Sequence, residues 1–243
     1  YWPHPSEATG TPEDFRQAAE QLTQKVYSAA HVSDGQAILD VGCGFGGAIA
    51  SLNENFTNLN LVGLNIDERQ LAQARQNVHS QPSNHIEFIQ GNACELPFPD
   101  ASFDVILAVE CIFHFPDRQQ FFQEAFRVLK PGGYLSLSDF VPLDIVIPLL
   151  HGYRQLDATG FYGQVDLNYS QKDYQKLAQT IGFRPHCEHD ITLNTIPTYD
   201  FIFDLGKKSH HTPFQLSALS QSLLLSFASR WQLIKYLILS YQK

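Results

Sequence analysis

Five short apolar runs, AILDV, LNLVGL, IEFI, FDVILAV and GYLSLS, alternate with stretches of helical period such as DERQLAQARQNV and DRQQFFQEAFRVLK. Short apolar runs bounded by turn residues read as buried strands, and their alternation with amphipathic helices implies parallel pairing through crossover connections. Such crossovers place helices on both faces of one sheet, so the pattern predicts a doubly wound α/β fold. Ahead of the first strand, Pro12 to about His31 sets Phe15, Ala18, Ala19, Leu22 and Val26 on one helical face. Glu13 and Asp14 stand at the end where the helix dipole favours acids. Gly35 precedes the first strand, and Lys130-Pro131-Gly132-Gly133 stops the helix that begins near Asp117.

Between Phe140 and Tyr169 the alternation lapses into an apolar, aromatic passage with His151, Tyr153, Phe161 and Tyr162. A long insertion after the fifth strand of an open α/β sheet falls over the carboxyl edge, where ligands bind. Residues 140–169 are therefore expected to cover the substrate, with those four rings as pocket wall or lid. Regularity returns with a predicted helix over Ser170–Ile181, a strand over His186–Leu193 and helices after Pro197 and Pro213. The stretch KYLILSYQK is expected as a terminal strand, antiparallel in the sheet.

Composition narrows the function classes. A chain of 243 residues with 44% hydrophobic residues suits one domain spanning 1–243. Sixteen basic against 25 acidic residues give a formal charge of −9, which repels a phosphate backbone and argues against nucleic acid as a partner. Cys43, Cys94, Cys111 and Cys187 never form a C-x-x-C pair, and no His/Asp/Glu grouping has metal-ligand spacing. Neither disulfides nor a metal are expected. No run reaches the roughly 18 apolar residues of a membrane span, and the first residues lack a signal-peptide layout. A cytoplasmic location follows as the expectation.

The densest chemistry lies at Asp40-Val41-Gly42-Cys43-Gly44-Phe45-Gly46-Gly47, a strand end running into a glycine turn and the apolar helix AIASL. Glycine lets backbone pass against a ligand and permits positive φ. Gly42, Gly44 and Gly47 also satisfy the dinucleotide pattern G-x-G-x-x-G, so glycines alone do not choose a cofactor. Asp40 discriminates, because a carboxylate before the turn would repel a pyrophosphate yet accept hydrogen bonds from an ammonium group.

With DVGCGFGG, the chain resembles the class I S-adenosylmethionine-dependent methyltransferases, whose first motif contacts the aminocarboxypropyl end of the cofactor. The resemblance spans most of the chain, because further motifs arrive in the family's order. It implies a seven-stranded, mostly parallel Rossmann-like sheet and a cofactor site comprising Asp40, Gly42, Cys43 and Gly44. Asn65, at the end of the second strand, stands where most of the family places an acid on the ribose hydroxyls. Ile66 follows it, and Gln70 matches a glutamine that shares this role in the cyclopropane-synthase-like and small-molecule branches. Gly91-Asn92-Ala93-Cys94-Glu95-Leu96-Pro97-Phe98 is similar to the family's adenine segment, with Asn92 in the acidic position and the amides of Ala93 or Cys94 as donors to the ring.

In sugar and macrolide O-methyltransferases that this chain resembles, E-S-L-H-H-M-P-D supplies a base and an acid from the fifth strand supports it. Glu110, His114 and Asp139 are kept, with Phe113 in place of the first histidine. His114 and Asp139 are the expected catalytic residues and Glu110 a cofactor contact. A histidine in so aromatic a segment equally suits a packed residue satisfied by backbone. Asp104, at the start of a strand, reads as structural. Tyr1 and Trp2 are similar to a G-Y-W opening whose aromatic pair belongs to a lid, so residues 1–31 are expected as an N-terminal lid and helix. The resemblance implies S-adenosylmethionine as cofactor and methylation of a small molecule, first an O-methylated secondary-metabolite hydroxyl, with N- or C-methylation of a small amine, aromatic or prenyl acceptor as the alternative. A nicotinamide-dependent oxidoreductase would share the sheet but should lack Asp40. A non-catalytic binding module should lose the glycines or polar contacts.

Overall fold

The computed structural model of the protein describes residues 1–150, 166–208 and 213–243. Seven strands form one sheet: β1 (Ala37–Val41), β2 (Asn60–Asn65), β3 (His85–Gln90), β4 (Phe103–Ala108), β5 (Leu129–Pro142), β6 (Arg184–Asp190) and β7 (Ile234–Gln242). Their order is β3-β2-β1-β4-β5-β7-β6. Pairs β2–β3, β1–β2, β1–β4 and β4–β5 are parallel, and β7 enters antiparallel between β5 and β6. The helices are α1 (Pro12–Ser28), α2 (Gly47–Asn55), α3 (Glu68–Asn77), α4 (Arg118–Val128), α5 (Ile147–Leu150), α6 (Gln171–Ile181), α7 (Thr192–Lys208) and α8 (Pro213–Arg230). Among the described residues no helix is long and apolar enough to cross a membrane.

The chain divides into two compact units. One comprises residues 23–139, 175–189 and 238–243 and carries the glycine turn. Ile38, Leu39, Val41, Leu61, Leu64, Val105, Ile106, Leu107 and Leu135 are buried in its central strands, as parallel strands covered on both faces require. Reversal after β2 and β4 is capped by carboxylates: Asp67 accepts from the Arg69 amide and Asp117 from the Gln120 amide, meeting donors that helix starts leave unpaired. Helix α2 packs against β2, and α3 against β2 and β3. Asp104 is structural as expected, accepting from the Ala37 amide at 2.8 Å and from Lys130 Nζ at 2.7 Å.

The other unit comprises residues 1–22, 140–174 and 190–237. Trp2 is buried in it, its ring nitrogen donating to Asp14 Oδ1 at 3.0 Å and its backbone exchanging bonds with Asn194. Phe15 stacks on Phe201 with centroids 4.4 Å apart. His151, Tyr153, Phe161 and Tyr162 lie outside the described residues.

Two boundaries depart from expectation. The strand predicted over His186–Leu193 occupies Arg184–Asp190, because Asp190 Oδ1 accepts from the Thr192 amide and hydroxyl and starts a helix there. Helix α7 thus begins before Pro197, which lies inside it. A proline ring removes one backbone donor, yet the helix continues through it. In β5 the Lys130-Pro131-Gly132-Gly133 stretch is carried as an irregularity of the strand itself. Phe103 pairs with Leu129 and Val105 with Tyr134, so the extra residues bulge between them.

Candidate active site

The glycine turn leaves β1 at its carboxyl end. The amides of Gly42 and Cys43 both donate to Leu64 O, at 2.7 and 3.0 Å, which fastens the turn to β2. Gly42, Gly44 and Gly46 have φ of +70°, +54° and +83°, a region L side chains rarely enter. Their surroundings differ. A Cβ on Gly42 would stand 2.6 Å from Cys111 Cβ, whereas one on Gly44 would meet nothing within 4 Å. Gly42 therefore serves close packing inside the protein, and Gly44 presents bare backbone to open space.

Asp40 is 2% exposed, and among the described residues nothing donates a hydrogen bond to its carboxylate. Burial alone pushes its pKa up to about 7. The Cys43 and Cys111 thiols are pushed up by burial first and by Asp40 second. They are buried, protonated packing groups here, and Cys111 Sγ donates to Val41 O at 3.0 Å. An unpaired buried acid is costly unless a cationic partner arrives, and a pyrophosphate would worsen the cost.

At the end of β2, Asn65 is buried and Gln70 half-buried. The structure joins the two: Asn65 Nδ2 donates to Gln70 Oε1. Ile66 between them is 70% exposed, an apolar side chain presented at a strand end. After β3, Asn92 Oδ1 accepts from the Cys94 amide at 3.0 Å and Asn92 O from the Glu95 amide, so Asn92 shapes the turn it starts. That bond occupies the Cys94 amide, while Ala93 is buried beside it. Cys94 Sγ donates to Asp117 O at 3.3 Å.

Beyond β4, Glu110 is exposed and adopts φ +51°, unusual for a side-chain-bearing residue, and its amide donates to Ser138 Oγ at 3.0 Å. A single 3-10 turn, Ile112–His114, follows. Phe113 is buried and His114 exposed, with ring centroids 4.4 Å apart. An exposed imidazole is accessible for proton transfer, unlike a packed core histidine. Asp139 is fully buried within β5, which runs on to Pro142, and is paired with Arg118 Nη2 at 3.1 Å. Sequence reasoning missed Arg118: at a helix head it reads as a solvent-facing charge, and the available signal was Asp139 itself, an acid in an otherwise apolar and serine strand. Among the described residues no group of three or more His, Cys, Asp or Glu could hold a metal ion.

A sheet of this order, with an acid and a glycine turn after β1 and polar groups at the next strand ends, defines the Rossmann-like methyltransferase class. The site's residues fit S-adenosylmethionine: a buried acid lacking a donor, open space above Gly44, and amides and an exposed apolar side chain after β2. Comparison agrees. The family described as "Methyltransferase domain" matches residues 39–137. The chain is 33% identical over 203 residues to "Methyltransferase GfsG" of Streptomyces halstedii, covering 82% of this chain and 69% of that protein. It is 32% identical over 187 residues to "27-O-demethylrifamycin SV methyltransferase" of Amycolatopsis mediterranei, covering 76% and 67%. In fold it is similar to the cyclopropane synthase MmaA2 from Mycobacterium tuberculosis, with TM-score 0.81 and 17% identity over 99% of this chain and 88% of that one. The chain belongs to this methyltransferase family, and it is an S-adenosylmethionine-dependent enzyme acting on small molecules.

Proposed function

We propose that the protein transfers a methyl group to a hydroxyl of a small secondary metabolite of macrolide, sugar, polyketide or peptide type, with His114 as general base. The observation that carries this reading is the exposed His114 imidazole on the turn after β4, at the carboxyl edge of the sheet. Alcohols need a base as they attack, and an imidazole suits that task. The relative whose name specifies 27-O-demethylrifamycin supports an oxygen acceptor. A cyclopropane synthase sharing the fold is the reason for testing carbon acceptors beside it, since fold does not fix chemistry.

When bound, S-adenosylmethionine supplies a methyl already activated on a sulfonium. The chain's residues bind and orient. Asp40 would receive the ammonium group, and Gly44 would leave backbone open beside the amino acid end, with Gly42 and Cys43 packing the turn beneath it. Asn65 and Gln70 would serve the ribose, and the exposed Ile66 would offer an apolar surface to the adenine. The turn from Asn92 through Ala93 to Cys94 would border the ring, and Glu110 would close the site beyond β4. No metal is assigned.

The test is an acceptor screen, with products read by a mass gain of one methylene and the methylated atom located by NMR. An O-methyl product is expected. Replacing His114 by Ala should lower turnover roughly 10²-fold or more with affinity for S-adenosylhomocysteine unchanged. Methyl on carbon or nitrogen, or unaltered turnover in the variant, would reject the reading.

A further inference from the structure

Resting on that reading, we propose that Arg118 is a positioning residue: paired with Asp139, it clamps the turn bearing His114 to β5.

The register sets the parts. Ala108, the last residue of β4, pairs with Leu137, so Ser138 and Asp139 continue β5 past its pairing with β4, where the Glu110 amide reaches Ser138 Oγ. Arg118, the first residue of α4, is 1% exposed and reaches both partners: Nη2 meets Asp139 Oδ2 at 3.1 Å and Nε donates to Ile112 O at 3.4 Å. Ile112 O also accepts the Phe115 amide at 3.1 Å, the bond that closes the 3-10 turn. One planar guanidinium thus holds β5 and the turn after β4 together. A lysine head, a single point, lacks that fork.

Two further ties act on the same turn. Glu110 N donates to Ser138 Oγ, and Cys111 Sγ to Val41 O. A left-handed Glu110 costs energy and persists only where its surroundings over-determine it. Stability gives little reason for the ion pair, because taking two charges out of water costs about as much as their attraction returns, and apolar replacements of similar volume are often neutral or better. What apolar side chains cannot do is direct a bond at Ile112 O. The pair therefore sets where the turn, and with it the His114 imidazole, stands relative to the strand ends.

Removing the pair whole separates position from stability. In Arg118→Leu/Asp139→Leu, thermal unfolding should return to near the parent value, while Asp139→Leu alone falls well below it. Amide exchange across 110–115 should nevertheless be about tenfold faster in the double variant, with the Gly42 and Cys43 amides unchanged. Exchange at 110–115 equal to the parent's would overturn the proposal. Should the double variant not fold, Arg118→Lys decides: faster exchange at 110–115 with cooperative unfolding kept supports the clamp, and unchanged exchange or failure to fold overturns it. These readouts need no acceptor, so failure of the O-methylation reading would leave them standing.

Discussion

Asn65 Nδ2 donates to Gln70 Oε1 at 2.6 Å, while Asn65 Oδ1 accepts the Ile66 amide at 2.9 Å. The Ile66 N–H fixes which end of the Asn65 amide is oxygen, and the second bond then fixes Gln70. Asn65 is largely spent on orientation, and among the described residues the Gln70 Nε2 hydrogens are left for another acceptor. Gln70→Leu should therefore weaken S-adenosylhomocysteine about tenfold by titration calorimetry, with the ligand-free unfolding temperature little altered. An unchanged affinity would remove Gln70 from the cofactor site.

Asp40 links pH to stability and to cofactor binding with opposite signs. Its folded pKa, raised by burial to about 7, exceeds the ordinary value of 3.8. Its contribution is then fully present below about pH 4 and is lost as pH rises through 7, up to about 4 kcal/mol. A cationic ligand favours the ionised form, so affinity for S-adenosylhomocysteine should rise over the same window. Asp40→Asn is expected to flatten both slopes. Parallel unfolding and binding profiles from pH 5 to 8 check this, and identical slopes in parent and variant would refute it.

Gly42 and Gly44 should fail differently. Alanine at 42 meets Cys111 at 2.6 Å in addition to its backbone strain, which should cost about 2–4 kcal/mol in chemical denaturation. Alanine at 44 bears the strain alone, about 1 kcal/mol, yet should weaken S-adenosylhomocysteine by more than tenfold because its methyl enters the open space. Equal losses of stability would contradict the distinction.

Beneath α2, Asn84 is buried and binds on both sides of its amide: Oδ1 accepts the Leu59 amide, and Nδ2 donates to Asn53 O and Phe56 O. Asn84→Ala leaves a buried N–H and carbonyls unmet, so a loss of about 2–3 kcal/mol is expected in urea unfolding. A loss under half a kcal/mol would mean that water replaces the side chain.

The parallel strands β1, β2 and β4 are legible in sequence because strands covered on both faces must be apolar nearly throughout, and Val41, Leu64 and Ile106 mark them. Strand β6 reads Arg184-Pro185-His186-Cys187-Glu188-His189-Asp190, mostly exposed, and leaves no such run, so its end was misplaced by the apolar Ile191 and Leu193 that belong beyond it. The glycine turn and the Asn65/Gln70 pair are local in sequence and can be read directly. Arg118 and Asp139 meet only because β4 and β5 are neighbours, a contact that no periodicity encodes. Likewise Pro197 reads as a helix start, whereas the side chain of Asp190 begins that helix earlier.

Strand β7 lies between β5 and β6, although it follows both in the chain. Strand β6 consequently has no neighbour to join until residues 234–242 have been made and have found β5, across a separation of most of the chain's second half. Closing so long a loop is slow, so the sheet should assemble from β1 outward and hold an open β5 edge through synthesis. Until the last strand docks, that edge is the place where the newborn enzyme can pair with the wrong chain.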